Sequence, residues 1–125
     1  MALKYLCNII QKRCTAFILS DFICQGYEKD LRLAANRHDT IGIHLYDPLE
    51  VEIPNVGLIP VLDAESGKKR WVDTASPKTR AAYKQHHEKR TDQFRTTFLK
   101  NGADTLSLGT HMDYLSPLIK FFKER

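Results

Sequence analysis

The residues best suited to chemistry in this 125-residue chain stand where an apolar run stops, at Ser20-Asp21 after Cys14 to Leu19. A serine there could act as a nucleophile if a histidine base and an oxyanion hole lay beside it. Leu19-Ser20-Asp21 lacks the G-x-S-x-G elbow, and no spacing ties it to His38, His44 or His111. Asp21 could instead be a metal ligand, a phosphate acceptor or the base of a small hydrolase. A receiver-type phosphoacceptor needs an acidic pair and a Lys-Pro that the chain does not supply; its last strand ends in Leu108-Gly109-Thr110-His111. His86 and His87 are helical neighbours that project in different directions, so they do not form the i, i+4 pair of a zinc helix. His44 reads as a strand residue packed against a helix.

Cys7, Cys14 and Cys24 are odd in number, sit among apolar neighbours and show no C-x-x-C spacing. They read as reduced, partly buried thiols, which suits a reducing compartment. The net charge of +4 concentrates between Lys78 and Lys100, where seven Lys or Arg side chains face only Glu88 and Asp92. Such a run is ordinarily the solvated face of a helix, but it can attract phosphate or an acidic surface. Trp71 and Tyr46 beside basic residues could stack bases. No aromatic-basic motif repeats, so nucleic acid is not the expected partner, and Trp71 reads as a packing residue of a hairpin.

These residues need elements to hold them. Leu3, Leu6, Cys7, Ile9 and Ile10 have helical spacing, closed by Lys12-Arg13. Cys14 to Leu19 reads as a strand buried on both faces, as in a parallel sheet. Tyr27 to Arg37 predicts a helix, His38-Asp39 a break, and Thr40 to Tyr46 a second strand stopped by Asp47-Pro48. Val51 to Pro54, Gly57 to Leu62 and Arg70 to Val72 are short β-like runs, the last two joined as a hairpin through Asp63 to Lys69. Ser76-Pro77 opens a helix that runs to Lys100 and ends at Asn101-Gly102. Ala103 to Leu108 make the third main strand. A last helix, capped by Thr110 or Ser116, carries Leu118, Ile119, Phe121 and Phe122. Strands alternating with helices predict an α/β fold with three main parallel strands, flanking helices and an inserted β-hairpin.

Ile18-Leu19-Ser20-Asp21-Phe22, Arg37-His38-Asp39 and Tyr46-Asp47-Pro48 resemble the C-terminal signature of the uncharacterised bacterial domain family 58. The likeness continues through Pro54-Asn55-Val56-Gly57-Leu58, Asp63-Ala64-Glu65-Ser66-Gly67 and Val72-Asp73-Thr74 to Asp113-Tyr114 and Phe121-Phe122. Members of that family are commonly encoded beside MoxR-type AAA+ ATPases, and their domain is similar to von Willebrand A domains. The resemblance implies a single domain, residues 1–125, forming the C-terminal half of a truncated doubly wound (Rossmann-like) layer whose first three strands are absent. It also implies that Asp21 matches only the last ligand of a metal site, since no D-x-S-x-S occurs in the chain. Asp21 and Ser20 alone do not make an oxygen cage for Mg²⁺, so no cofactor is expected unless the domain is intact. Cys24 stands where many relatives carry an acid.

The expected function is therefore non-catalytic: a protein-interaction module with an incomplete metal site, its partner implied to be a MoxR-type ATPase. Ser20, Asp21, Phe22 and Asp47 are the expected partner-binding residues. Phosphate or nucleic-acid binding, or a small hydrolase using Asp21, are the alternatives. With the first strand of the layer absent, the resemblance implies that the Cys14–Leu19 edge is covered by a second copy, making a homo-oligomer across a two-fold axis, or by a rearranged N-terminal helix. The apolar runs are too short to span a bilayer and Met1 opens no signal pattern, so a cytoplasmic location is expected.

Overall fold

The computed structural model describes residues 2–22, 26–62 and 66–125. In chain order these form α1 (Ala2–Ile9), β1 (Thr15–Ser20), α2 (Glu28–Arg37), β2 (Asp39–Tyr46), α3 (Pro48–Val51), β3 (Leu58–Leu62), β4 (Lys69–Asp73), α4 (Pro77–Lys100), β5 (Asp104–Gly109) and α5 (Leu115–Glu124). The sheet order is β1-β2-β5, all parallel, with Thr15 opposite Asp39 and Ile41 opposite Asp104. A separate antiparallel pair, β3-β4, sets Pro60 opposite Trp71. The α/β class, the three parallel strands of a Rossmann-like layer and the inserted hairpin are as the sequence predicts. Among the described residues no helix is long and apolar enough to cross a membrane.

Alternation along β2 divides the core in two. Ile41 and Ile43 pack with Leu108, Leu118 and Phe121, which places α5 on one face. On the other, Leu31 and Ala34 of α2 join Leu3 and Cys7 of α1 and Phe94 and Phe98 of α4. The helix α4 comes so close to β2 that a Cβ on Gly42 would lie 2.2 Å from the Phe98 ring. A glycine inside a strand commonly marks such an approach.

Local chemistry fixes the ends. The Ser76 hydroxyl accepts from the Thr79 N–H, and Pro77 opens the helix as expected. At the other end Gly102 takes a φ of +85° and the Ala103 N–H returns to the Phe98 carbonyl. The Arg32 Nε donates to Asn101 Oδ1 at 3.0 Å, tying α2 to this terminus. Thr74, fully buried, closes the base of the hairpin: its N–H and hydroxyl donate to the Gly57 carbonyl, and its hydroxyl accepts from the Val56 N–H. Arg80 then donates to the Thr74 carbonyl. Arg125 pairs with Asp39 and Asp104, where β2 and β5 begin.

Several expectations need correction. β1 is not buried on both faces: Phe17 and Leu19 are 46% and 58% exposed, because β1 is a sheet edge and α5 only reaches its margin. α1 ends at Ile9, so Lys12-Arg13 lie beyond it. Val51 belongs to a short helix rather than a β run, since Asp47 caps and Pro48 opens α3. Trp71 is 71% exposed, on the side of the hairpin turned away from the body. Neither Thr110 nor Ser116 caps α5; the cap position is Tyr114, and Asp113 just before it accepts from the Leu115 N–H and the Ser116 hydroxyl, which holds its carboxyl below the ordinary range. Cys24 and Asp63 to Glu65 lie outside the described residues. Of the other cysteines, Cys7 is buried and free, and Cys14 is half-buried and free.

Gly42→Ala is expected to destabilise the protein by about 1–3 kcal/mol, the usual cost of overpacking. Adding Phe98→Leu should recover part of that loss, because the clash is with the ring. Urea unfolding of the two variants checks both statements.

Candidate functional site

Open parallel sheets bind ligands at the carboxyl ends of their strands. Here those ends bring together the turn after β1, the start of α3 and the turn after β5, with the middle of α4 alongside. Ser20 and Phe22 form the first turn: the Phe22 N–H donates to the Ser20 hydroxyl at 3.1 Å. Phe22 takes a φ of +52°, a conformation unfavourable for a bulky side chain. Its ring offsets that strain by stacking on Phe94 at 4.4 Å and meeting Phe98 edge-on at 5.0 Å. Phe22 is thus a core anchor for the turn that carries Asp21, and Asp21 itself is exposed.

Asp47 is engaged in structure too, its Oδ1 accepting from the Leu49 N–H at 2.8 Å. After β5 the Thr110 N–H donates to the Tyr46 carbonyl, and the chain folds back so that His111 lies beside Tyr46. A Cβ at Gly109 would stand 2.8 Å from the His111 ring and 3.1 Å from Tyr46, so a larger residue there would push the His111 ring aside. Tyr46 continues the row to His87 of α4, ring centroids 5.4 Å apart. His87 in turn stacks on His44 at 6.1 Å.

His44 is the centre of this belt. It is 3% exposed and lies against Phe94 and Phe22. Its ring is hydrogen-bonded to the Asp21 main chain, while Nδ1 has no partner among the described residues. Burial pushes its pKa below the ordinary value of 6.5, His87 and Arg90 add to that, and Asp21 opposes it. Tyr83, one turn before His87 on α4, is pushed up by burial and by the carboxylates of Glu50 and Asp47.

The arrangement joins Ser20, Asp21, Phe22 and His44 in one neighbourhood. The Ser20 hydroxyl accepts from the Phe22 N–H to close its own turn, and the His44 ring bonds the Asp21 main chain. Among the described residues no group of three or more His, Cys, Asp or Glu gathers into a ligand set. The sequence places Tyr83, His87, Phe94 and Phe98 on one face of α4, as found. Arg90 enters it only as one of the basic run and Tyr114 only within the family likeness; Met112, 49% exposed and beside the Tyr46 hydroxyl, it does not single out. Gly109 at the end of an apolar strand was the available signal for that fold-back.

His44 implies a pH dependence. The folded state holds the imidazole neutral, whereas the unfolded chain takes up a proton near pH 6.5. Stability is therefore full above that value and declines as pH falls from it toward the lower folded-state pKa. Urea unfolding at neutral and mildly acid pH should show this slope, and His44→Gln should flatten it. An unchanged slope in the variant would assign the effect elsewhere.

Comparison with known proteins supplies kinship but no activity. A family model described as "Protein of unknown function DUF58" matches residues 1–93. The uncharacterized proteins Rv1480 of Mycobacterium tuberculosis (strain ATCC 25618 / H37Rv) and Mb1516 of Mycobacterium bovis are each 33% identical over 116 residues. That alignment covers 92% of this chain and 36% of each relative, so the chain spans about a third of their length. The uncharacterized protein MAV169 of Mycobacterium avium is 31% identical over 116 residues, 92% of this chain and 68% of that protein. No solved structure matches. With a match over residues 1–93 of its 125, the chain belongs to DUF58, a family of unknown function.

Proposed function

We propose that the chain is a non-catalytic, cytoplasmic interaction module, the C-terminal half of a von Willebrand A-like layer, whose partner is a MoxR-type AAA+ ATPase. The observation that carries this reading is the state of the polar groups at the sheet mouth. Ser20, Asp47 and the His44 ring are engaged in holding turns, a helix start and main chain. What faces outward is a surface: Asp21 on one turn, Met112 and Tyr114 on another. An aromatic, a methionine and a carboxylate on neighbouring turns suit protein contact, where Tyr and Met are enriched. Asp21 is the residue through which a metal would reinforce that contact in a longer domain carrying the remaining ligands. The ATPase itself comes from family likeness alone.

A second reading rests on α4. Its cations, including Lys78, Lys84, Lys89 and Arg95, form no ion pair among the described residues. A helix face of that kind suits a phosphate-rich ligand.

Purified chain mixed with a MoxR-type ATPase from the same genome should retain it, with and without Mg²⁺, and Tyr114→Ala should weaken retention several-fold. No enrichment in either condition would sink the proposal. For the second reading, a labelled oligonucleotide should bind at low salt with an affinity that falls steeply as salt rises; no binding at low salt excludes it.

A further inference from the structure

The sheet has a second end, opposite the mouth, where β1 and β2 begin. His38 closes α2, leads directly into β2 and is 1% exposed. Its Nδ1 is aimed at Cys14, whose thiol is free and half-buried. The Cys14 N–H donates to that nitrogen at 3.3 Å, and the Cys14 Sγ stands 3.4 Å from it. Its Nε2 is enclosed and has no partner among the described residues. Because Nδ1 accepts from a main-chain N–H, it carries the lone pair, and the ring hydrogen sits on Nε2. A thiol beside that lone pair can act only as a donor. The contact is set on the inner side of β1, where the Asp39 N–H donates to the Cys14 carbonyl at 2.9 Å and Thr15 lies opposite Asp39. It therefore does not depend on what lies beyond the outer side. Arg37 and Asp39, on either side of His38, are engaged elsewhere, the first by the Cys7 carbonyl and the second by Arg125. Lys12 and Arg13, just before Cys14, are exposed.

We propose that Cys14 is a thiol-modification site with His38 as its base, and that its co-reactant is an anionic low-molecular-weight disulfide. A cysteine beside a histidine lone pair is the arrangement of an activated nucleophile. As Cys14 Sγ attacks one sulfur of the disulfide, its proton passes to His38 Nδ1. A new S–S bond forms between Cys14 and that sulfur while the original S–S bond breaks. The leaving sulfur takes the electron pair as a thiolate and then the proton from Nδ1. Cys14 is oxidised, the disulfide is reduced, and the imidazole ends neutral as it began. Lys12 and Arg13 supply the positive charge that draws an anionic disulfide to this end of the sheet. Cys7, buried in the core between α1 and α2, has no such access. The site lies at the far end of the strands from Asp21, so it and the ATPase reading stand or fall separately.

The probe is dithiobis-nitrobenzoate, an aromatic disulfide with a carboxylate on each ring, applied to the folded chain carrying Cys24→Ser. Mass spectrometry of the product should place the label on Cys14 and spare Cys7. The labelling rate should change little between about pH 7 and 8, since the base is already neutral there; a thiol without a base reacts several-fold faster over that step as it ionises. His38→Gln should slow labelling by at least about tenfold at the lower pH and restore the climb. Changing Lys12→Gln and Arg13→Gln together should slow this probe several-fold and leave the uncharged dithiodipyridine unaffected. An unlabelled Cys14, or a rate in the unaltered chain that climbs with pH, overturns the proposal. So does an undiminished rate in His38→Gln. If circular dichroism shows that this variant has not folded, the pH profile of the unaltered chain decides alone. Equal slowing of both probes by the Lys12 and Arg13 changes would overturn the anionic co-reactant.

Discussion

The contact between Gly42 and the Phe98 ring is the constraint on which the remaining architecture rests. The absence of a side chain at 42 lets α4 approach the middle strand, and Phe98 and Phe94 then fill the space between helix and sheet. The aromatic belt at the mouth follows from that depth. Phe22 finds Phe94 to stack on, His44 is sealed between Phe22 and Phe94, and His87 is carried over Tyr46. A helix standing farther off would leave Phe22 without support in its left-handed conformation and His44 in water.

Much of this order is legible in the residues. Ser76-Pro77 and Asn101-Gly102 bracket the long helix because capping and positive φ are local properties, decided within a few residues. The three main strands announce themselves as short apolar runs between helical patterns. Periodicity cannot say which of those strands lies at an edge, and this is why Cys14 to Leu19 looked buried on both sides. The same limit applies to Trp71, whose exposure depends on which face of the hairpin turns to the body. At Asp47-Pro48 the signal was present but ambiguous: the pair that stops β2 is also a cap and first turn for α3.

The site was legible in part for a related reason. Ser20-Asp21 marks a strand end, and strand ends of parallel sheets gather at one rim, so the neighbourhood could be found. What the side chains do there could not, because the Phe22 conformation and the His44 seal arise from contacts with α4, far along the chain. Family kinship does not close that gap, since the matching relatives are themselves uncharacterized. The polar groups of the rim act through main chain and turns.

The hairpin has a different standing from the sheet. Its base is tied to the body by Thr74, Gly57 and Arg80, while Ser66 and Gly67 in its turn are exposed. Lengthening an exposed loop costs little, about 0.6 kcal/mol for each doubling. That makes the turn a tolerant splice point, where an epitope or a fluorescent label can be grafted while the parallel layer keeps its spacing.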